Sequence, residues 1–176
     1  MILPAGTSPT RFFLIVVVLA LSALGVTVGS MLKTEVLVVE LGGGKATFST
    51  PTLVVLEYVH SVEGGRVVEL LEAGGGCIRL VKLRWQGYGA GMPSSQYDIN
   101  WSSITAGDGF YEVEVGRCLG RSIVVDLDYM IEGRLAIGDT SFAEGTLRLS
   151  LAEETLVDFI LRELYEILLS VLSRYK

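Results

Sequence analysis

The chain has one histidine, two cysteines and three side-chain amides (Gln86, Gln96 and Asn100) in 176 residues. Each scarcity excludes something. His60 stands far in sequence from Cys77 and Cys118, so the set of nitrogen and sulfur ligands that a structural zinc site needs is missing. Neither a metal nor a cofactor is expected. Outside the cytoplasm an even cysteine count permits a Cys77–Cys118 disulfide, and two buried free thiols are the alternative. Scarce amides are a compositional trait of heat-adapted proteins. Basic charge is also short. Lys and Arg number 14 against 20 acidic residues, the net charge is -6, and the pI is about 4.8. The basic residues are scattered singly, which excludes a nucleic-acid partner, because such binding needs a basic face.

Charge is wholly absent from one stretch. Phe12 to Leu32 is 21 residues long, uncharged, and bounded by Arg11 and Lys33. At about 1.5 Å per residue a helix of that length covers the ~30 Å hydrocarbon core of a bilayer. A helix also satisfies its backbone polar groups internally, as lipid demands. The run is longer than the ~7–15 apolar residues of a secretory signal. Small residues near Val28–Ser30 keep cleavage open as the alternative reading. Residues 1–11 are expected to be a short cytoplasmic tail, 12–32 a single-pass anchor in the cell membrane, 34–151 an extracytoplasmic domain, and 152–176 a helix.

Between the anchor and that helix, short apolar runs are cut by glycine. Strands are expected at Glu35–Leu41, Leu53–Val62, Val67–Leu71, Cys77–Trp85, Phe110–Val115, Ser122–Asp128, Arg134–Ile137 and Thr146–Leu151. Turn signals such as Gly42-Gly43-Gly44 and Asp108-Gly109 separate them. Strands without intervening helices predict a mainly β fold: an antiparallel β-sandwich or partly closed barrel, with an N-terminal transmembrane helix and a C-terminal amphipathic helix. Glu63-Gly64-Gly65-Arg66 predicts a hairpin with a two-residue loop, which would set His60 opposite Glu69.

From Leu151 onward the apolar period becomes helical, with Val157, Ile160, Leu164, Ile167 and Val171 at steps of three and four. Ser150 with Glu153 resembles a capping box. Asp158, Arg162, Glu163 and Glu166 argue against a second membrane span. Such a helix packs on its own domain, lies on a membrane surface, or binds a partner.

Nucleotide motifs fail. Gly87-Tyr-Gly-Ala-Gly91 has Met92 where a third glycine belongs, and Gly43-Gly44-Lys45 is followed by Ala46. Asn100-Trp101-Ser102 matches a glycosylation acceptor. His60 and Ser61 point to opposite faces of a strand, which disfavours a Ser–His relay. No catalytic residue is expected, and the chain is read as non-enzymatic.

Two segments are more specific. Tyr58-Val-His-Ser-Val-Glu63, with Val68-Glu69 after the turn, precedes Gly89-Ala-Gly-Met-Pro93. Together they resemble domain of unknown function family 1850, small extracytoplasmic proteins often encoded beside TAXI-type TRAP transporters for organic acids. The resemblance runs from about Leu53 to Asp128, and more loosely to Leu151. It places the family signature on Tyr58, His60, Ser61, Glu63, Glu69, Gly89, Gly91 and Pro93. It implies a membrane-anchored accessory or interaction protein of such a transport system, partnered by its membrane or binding subunit. The alternative is a small-ligand or metal-binding β module using the His60/Glu69 corner and the Gly89–Pro93 loop.

Overall fold

In Thr146–Thr155 the side chains of Leu147, Leu149 and Leu151 are buried, and Arg148 between the first two is exposed. This period of two is what a strand with one dry face requires. The same logic builds most of the chain. The computed structural model describes residues 9–62, 64–87 and 104–173. Its elements are α1 (Pro9–Met31), β1 (Lys33–Leu41), β2 (Gly44–Ser49), β3 (Thr52–Val59), β4 (Arg66–Gly74), β5 (Cys77–Gln86), β6 (Thr105–Gly107), β7 (Phe110–Gly120), β8 (Ser122–Asp126), a 3-10 turn (Leu127–Tyr129), β9 (Ile131–Ile137), β10 (Thr140–Phe142), β11 (Thr146–Thr155) and α2 (Leu156–Ser173). They form two units, one of Glu35–Ala152 and one of Met1–Thr34 with Glu153–Lys176.

The larger unit is the β domain. One sheet runs β2-β1-β11-β8 and the other β10-β9-β3-β4-β5-β7-β6. Leu37, Val39, Val125, Leu147 and Leu149 of the first sheet share a core with Val54, Leu56, Leu71, Ile78 and Leu135 of the second. Each such side chain contributes about 1.5–3 kcal/mol by leaving water. Both sheets stay open, so the architecture is a sandwich and not a closed barrel. Cys77 on β5 and Cys118 on β7 are joined by a disulfide, with Cα atoms 6.0 Å apart.

Three short strands, β2, β6 and β10, lie where no strand was expected. They are too short or too polar to show an apolar period, and each forms by pairing with a longer neighbour.

In the smaller unit, α1 contains one segment, Phe13–Met31, long and apolar enough to cross a membrane, with a mean hydropathy of 2.4. Helix α2 starts at Leu156 and not at residue 152, because β11 continues to Thr155. Its cap is accordingly Thr155 and not Ser150. The Thr155 hydroxyl accepts from the Asp158 backbone N–H at 3.2 Å and donates to the Asp158 carboxylate at 2.7 Å.

Candidate functional site

The side chains of β4 alternate Val67, Glu69, Leu71, Ala73 on one face. Val67, Leu71 and Ala73 are buried. Glu69 therefore occupies an inward position in an otherwise apolar row. Cross-strand pairing makes this sharper. Glu69 stands opposite Leu56 of β3 on one side and Leu83 of β5 on the other, and Leu83 faces Val113 of β7. A carboxyl in such a row is desolvated, and burial raises its affinity for a proton above the ordinary value of 4.5.

One neighbour offsets this. The Tyr58 hydroxyl, diagonal to Glu69 on β3, donates to Glu69 Oε1 at 2.9 Å. That bond favours the carboxylate and pulls its pKa back down, but burial has the larger effect. Tyr58 shifts upward too, first through its own burial and then through the charge and hydrogen bond of Glu69. The ring of Tyr58 packs against a second small core of Val67, Trp85 and Val113, which fixes the direction of its hydroxyl.

Glu69 lines a cavity of about 500 Å³ between the sheets. Its apolar wall comes from Leu56, Leu71 and Leu119 on the larger sheet, from Ile123 and Val125 on β8, the edge strand of the smaller one, and from Met130 after the 3-10 turn. Tyr129, 90% exposed, sits at the mouth. The second polar group is Asp126, whose Oδ1 already accepts from the Asp128 backbone N–H at 3.2 Å. No Lys, Arg or His stands among the described residues that line this cavity. A larger hollow of about 570 Å³ lies over the Gly42–Gly44 turn, but its charged members Glu40, Lys45 and Arg148 are all exposed and solvated.

The expected His60–Glu69 pair does not form. The strands register Val59 with Arg66 and Leu56 with Glu69, four residues away from the predicted pairing, so the connection spans residues 60–65. Two observations explain the longer loop. Gly64 takes a positive φ of 66° whereas Gly65 does not, so a type I′ turn with both central residues left-handed is not made. A Cβ on Gly65 would run into the Gln86 carbonyl, so this glycine serves close approach to the end of β5 and not the tip of a turn. His60 closes the loop instead. Its N–H donates to Gly65 O at 2.8 Å, its carbonyl accepts from the Gly64 N–H at 2.9 Å, and its Nδ1 accepts from the Val62 N–H at 3.4 Å.

Ser61 is exposed in that turn. Glu63, Gly89, Gly91, Pro93 and the Asn100 acceptor triplet lie outside the described residues. Among the described residues no three His, Cys, Asp or Glu side chains converge as metal ligands. Of the signature positions, the structure therefore brings together Tyr58 and Glu69 and leaves His60 and Ser61 to the loop. Sequence reading missed Asp126, Leu119 and Met130, which reach the cavity only through tertiary packing. It also missed that the β4 alternation turns Glu69 inward, a signal present in Val67-x-Glu69-x-Leu71-x-Ala73.

Comparison with known proteins adds one finding. Residues 54–142, just over half the chain and spanning β3 to β10, match the family model described as Domain of unknown function (DUF1850). No curated protein and no solved structure matches the chain. Tyr58, Glu69 and most of the cavity wall lie inside the matched span, and the chain belongs to the DUF1850 family.

Proposed function

We propose that this protein is a non-enzymatic binding module, tethered by α1 to the outer face of the cell membrane, whose sandwich cavity takes a small ligand. The observation that carries this is a carboxyl at an inward position beside an apolar cavity. A fold seldom tolerates a polar group in its core row unless that group has a task. Tyr58 occupies Oε1 of Glu69. The remaining acceptor capacity of the carboxylate points to a ligand with a donor group. Two carboxyls and no described cation in the lining favour an ammonium or hydroxyl head on a hydrocarbon body and disfavour an organic anion.

The family resemblance adds a setting, an accessory role beside a solute transporter in the same membrane. A tethered outer-face module suits that role. In this reading the cavity itself is not the surface that would meet an organic-acid transporter.

The test is a thermal-shift screen of the full chain in nanodiscs with linear amines, alcohols and carboxylates of matched length. A ligand that binds only the folded state raises the melting temperature, by the equivalent of about 2.7 kcal/mol at a hundredfold excess over Kd. Amines should stabilise the wild type saturably and should lose that effect in Glu69→Gln. Equal responses in the two proteins, or a response to carboxylates alone, overturn the reading.

A further inference from the structure

Helix α2 has a sharply two-sided sequence. At 100° per residue, Ile160, Leu161, Leu164, Ile167, Leu168, Val171 and Leu172 fall within one arc of about 140°. Asp158 and Arg162 fall on the opposite arc. An amphipathic helix that packs on protein hides the first arc and wets the second. Here the apolar arc is exposed, as is Asp158, while Arg162 is half-buried. Those seven apolar residues are between 46% and 60% exposed. The Arg162 side chain is only 22% exposed, held by Glu154 at 3.3 Å and Glu163 at 3.0 Å. An exposed apolar face of this length marks an interaction surface.

The start of the helix identifies what covers that face. The Leu156 N–H donates to the carbonyl of Leu32, the last residue of the uncharged run, at 2.8 Å. One turn earlier, Gly29 of α1 meets Val157, where a Cβ would stand 2.9 Å from Val157 Cγ2. Lys33 and Glu153 form a solvent-exposed ion pair at 2.8 Å beside this junction. So α2 begins beside the end of the uncharged run, at the point where charge resumes, and Val157, which by its spacing falls on the same apolar arc, packs against Gly29 of α1. The described charges of α2 are mixed in sign, with no basic excess to draw anionic lipid.

We infer that α2 lies in the outer membrane–water interface with its Ile160–Leu172 face in the lipid. This rests on α1 being a retained anchor. The bilayer is held by apolar burial and not by charge, and the helix gives the β domain a second hold on the surface.

The experiment uses the full chain in nanodiscs with brominated phosphatidylcholine. Tryptophan is introduced at Leu164 on the apolar arc, at Phe159 on the other side, and at Val18 within α1, with the parent chain as the background. Leu164→Trp should gain at least twofold quenching from shallow bromines (acyl carbons 6 and 7) over Phe159→Trp, unchanged when anionic lipid is added. Val18→Trp should be quenched best by deep bromines. Quenching at Val18→Trp without quenching at Leu164→Trp overturns the interfacial helix and leaves the anchor standing. Deep rather than shallow quenching at Leu164→Trp also overturns it. Loss of quenching at Val18→Trp overturns the anchor itself.

Discussion

Replacing Tyr58 with Phe removes one oxygen from the structure and tests whether Glu69 is the desolvated, Tyr-held carboxyl described above. The bond runs from the Tyr58 hydroxyl to Glu69 Oε1 at 2.9 Å. To an ionised carboxylate such a bond is worth about 1.5–3 kcal/mol, and to a neutral acceptor about 1 kcal/mol. Tyr58→Phe should therefore lower stability by ~1.5–3 kcal/mol at pH 8. In a Glu69→Gln background, which keeps a neutral acceptor, it should cost only ~1 kcal/mol. The coupling in this double-mutant cycle is then about 0.5–2 kcal/mol at pH 8. It should shrink as the pH falls and Glu69 takes up its proton.

The wild type carries a matching signature. The folded pKa of Glu69 lies above 4.5, so the folded state holds this proton more tightly than the unfolded state. The contribution of Glu69 to stability is greatest below pH 4.5 and is lost as the pH rises through the folded pKa. Glu69→Gln abolishes that slope. Tyr58→Phe moves it to higher pH, because the bond that favours the carboxylate is gone. Denaturant titrations of the full chain in micelles, followed by the fluorescence of buried Trp85, measure all four proteins. A coupling below about 0.3 kcal/mol at pH 8, or one that grows on acidification, refutes the reasoning.

Two further outcomes follow from the same structure. The Cys77–Cys118 bridge closes a loop across 41 residues, so Cys77→Ser with Cys118→Ser should lower stability by about 4 kcal/mol on chain-entropy grounds, read as a drop in melting temperature that reductant reproduces in the wild type. Thr155→Ala removes both bonds to Asp158 and should cost about 1 kcal/mol, seen as reduced helical circular dichroism at the margin of unfolding while the β signal persists.

Much of the fold is legible in local pattern. Alternation along Thr146–Leu151 and the uncharged run from Phe12 to Leu32 each state their own element, because periodicity and length are properties of a segment alone. Registry is not such a property. Gly64-Gly65 reads as a tight turn, yet Gly65 is required by the Gln86 carbonyl 21 positions away, and no local signal carries that approach. The helix start was misplaced for a related reason. Ser150 and Glu153 imitate a cap, but β11 keeps Leu151–Thr155 in the sheet, and the real cap Thr155–Asp158 lies one turn later.

The site divides in the same way. Tyr58 and Glu69 were marked by family signature, and the inward turn of Glu69 follows from β4 alternation. The cavity needs Ile123, Val125 and Met130 from beyond the disulfide-linked strands, and only the packing of two sheets brings them there. His60, the one residue whose rarity drew notice, closes a loop through its backbone and Nδ1.

The central claim is that the cavity beside Glu69 holds a small ligand, and native mass spectrometry of the full chain released from its own membranes measures this most directly. The account predicts a non-covalent adduct on the wild type, with a mass fitting a cationic or hydroxyl-bearing hydrocarbon. The adduct should be lost when Met130→Trp fills the cavity and weakened in Glu69→Gln. An adduct that survives both substitutions unchanged, or one that proves to be an organic acid, would contradict it.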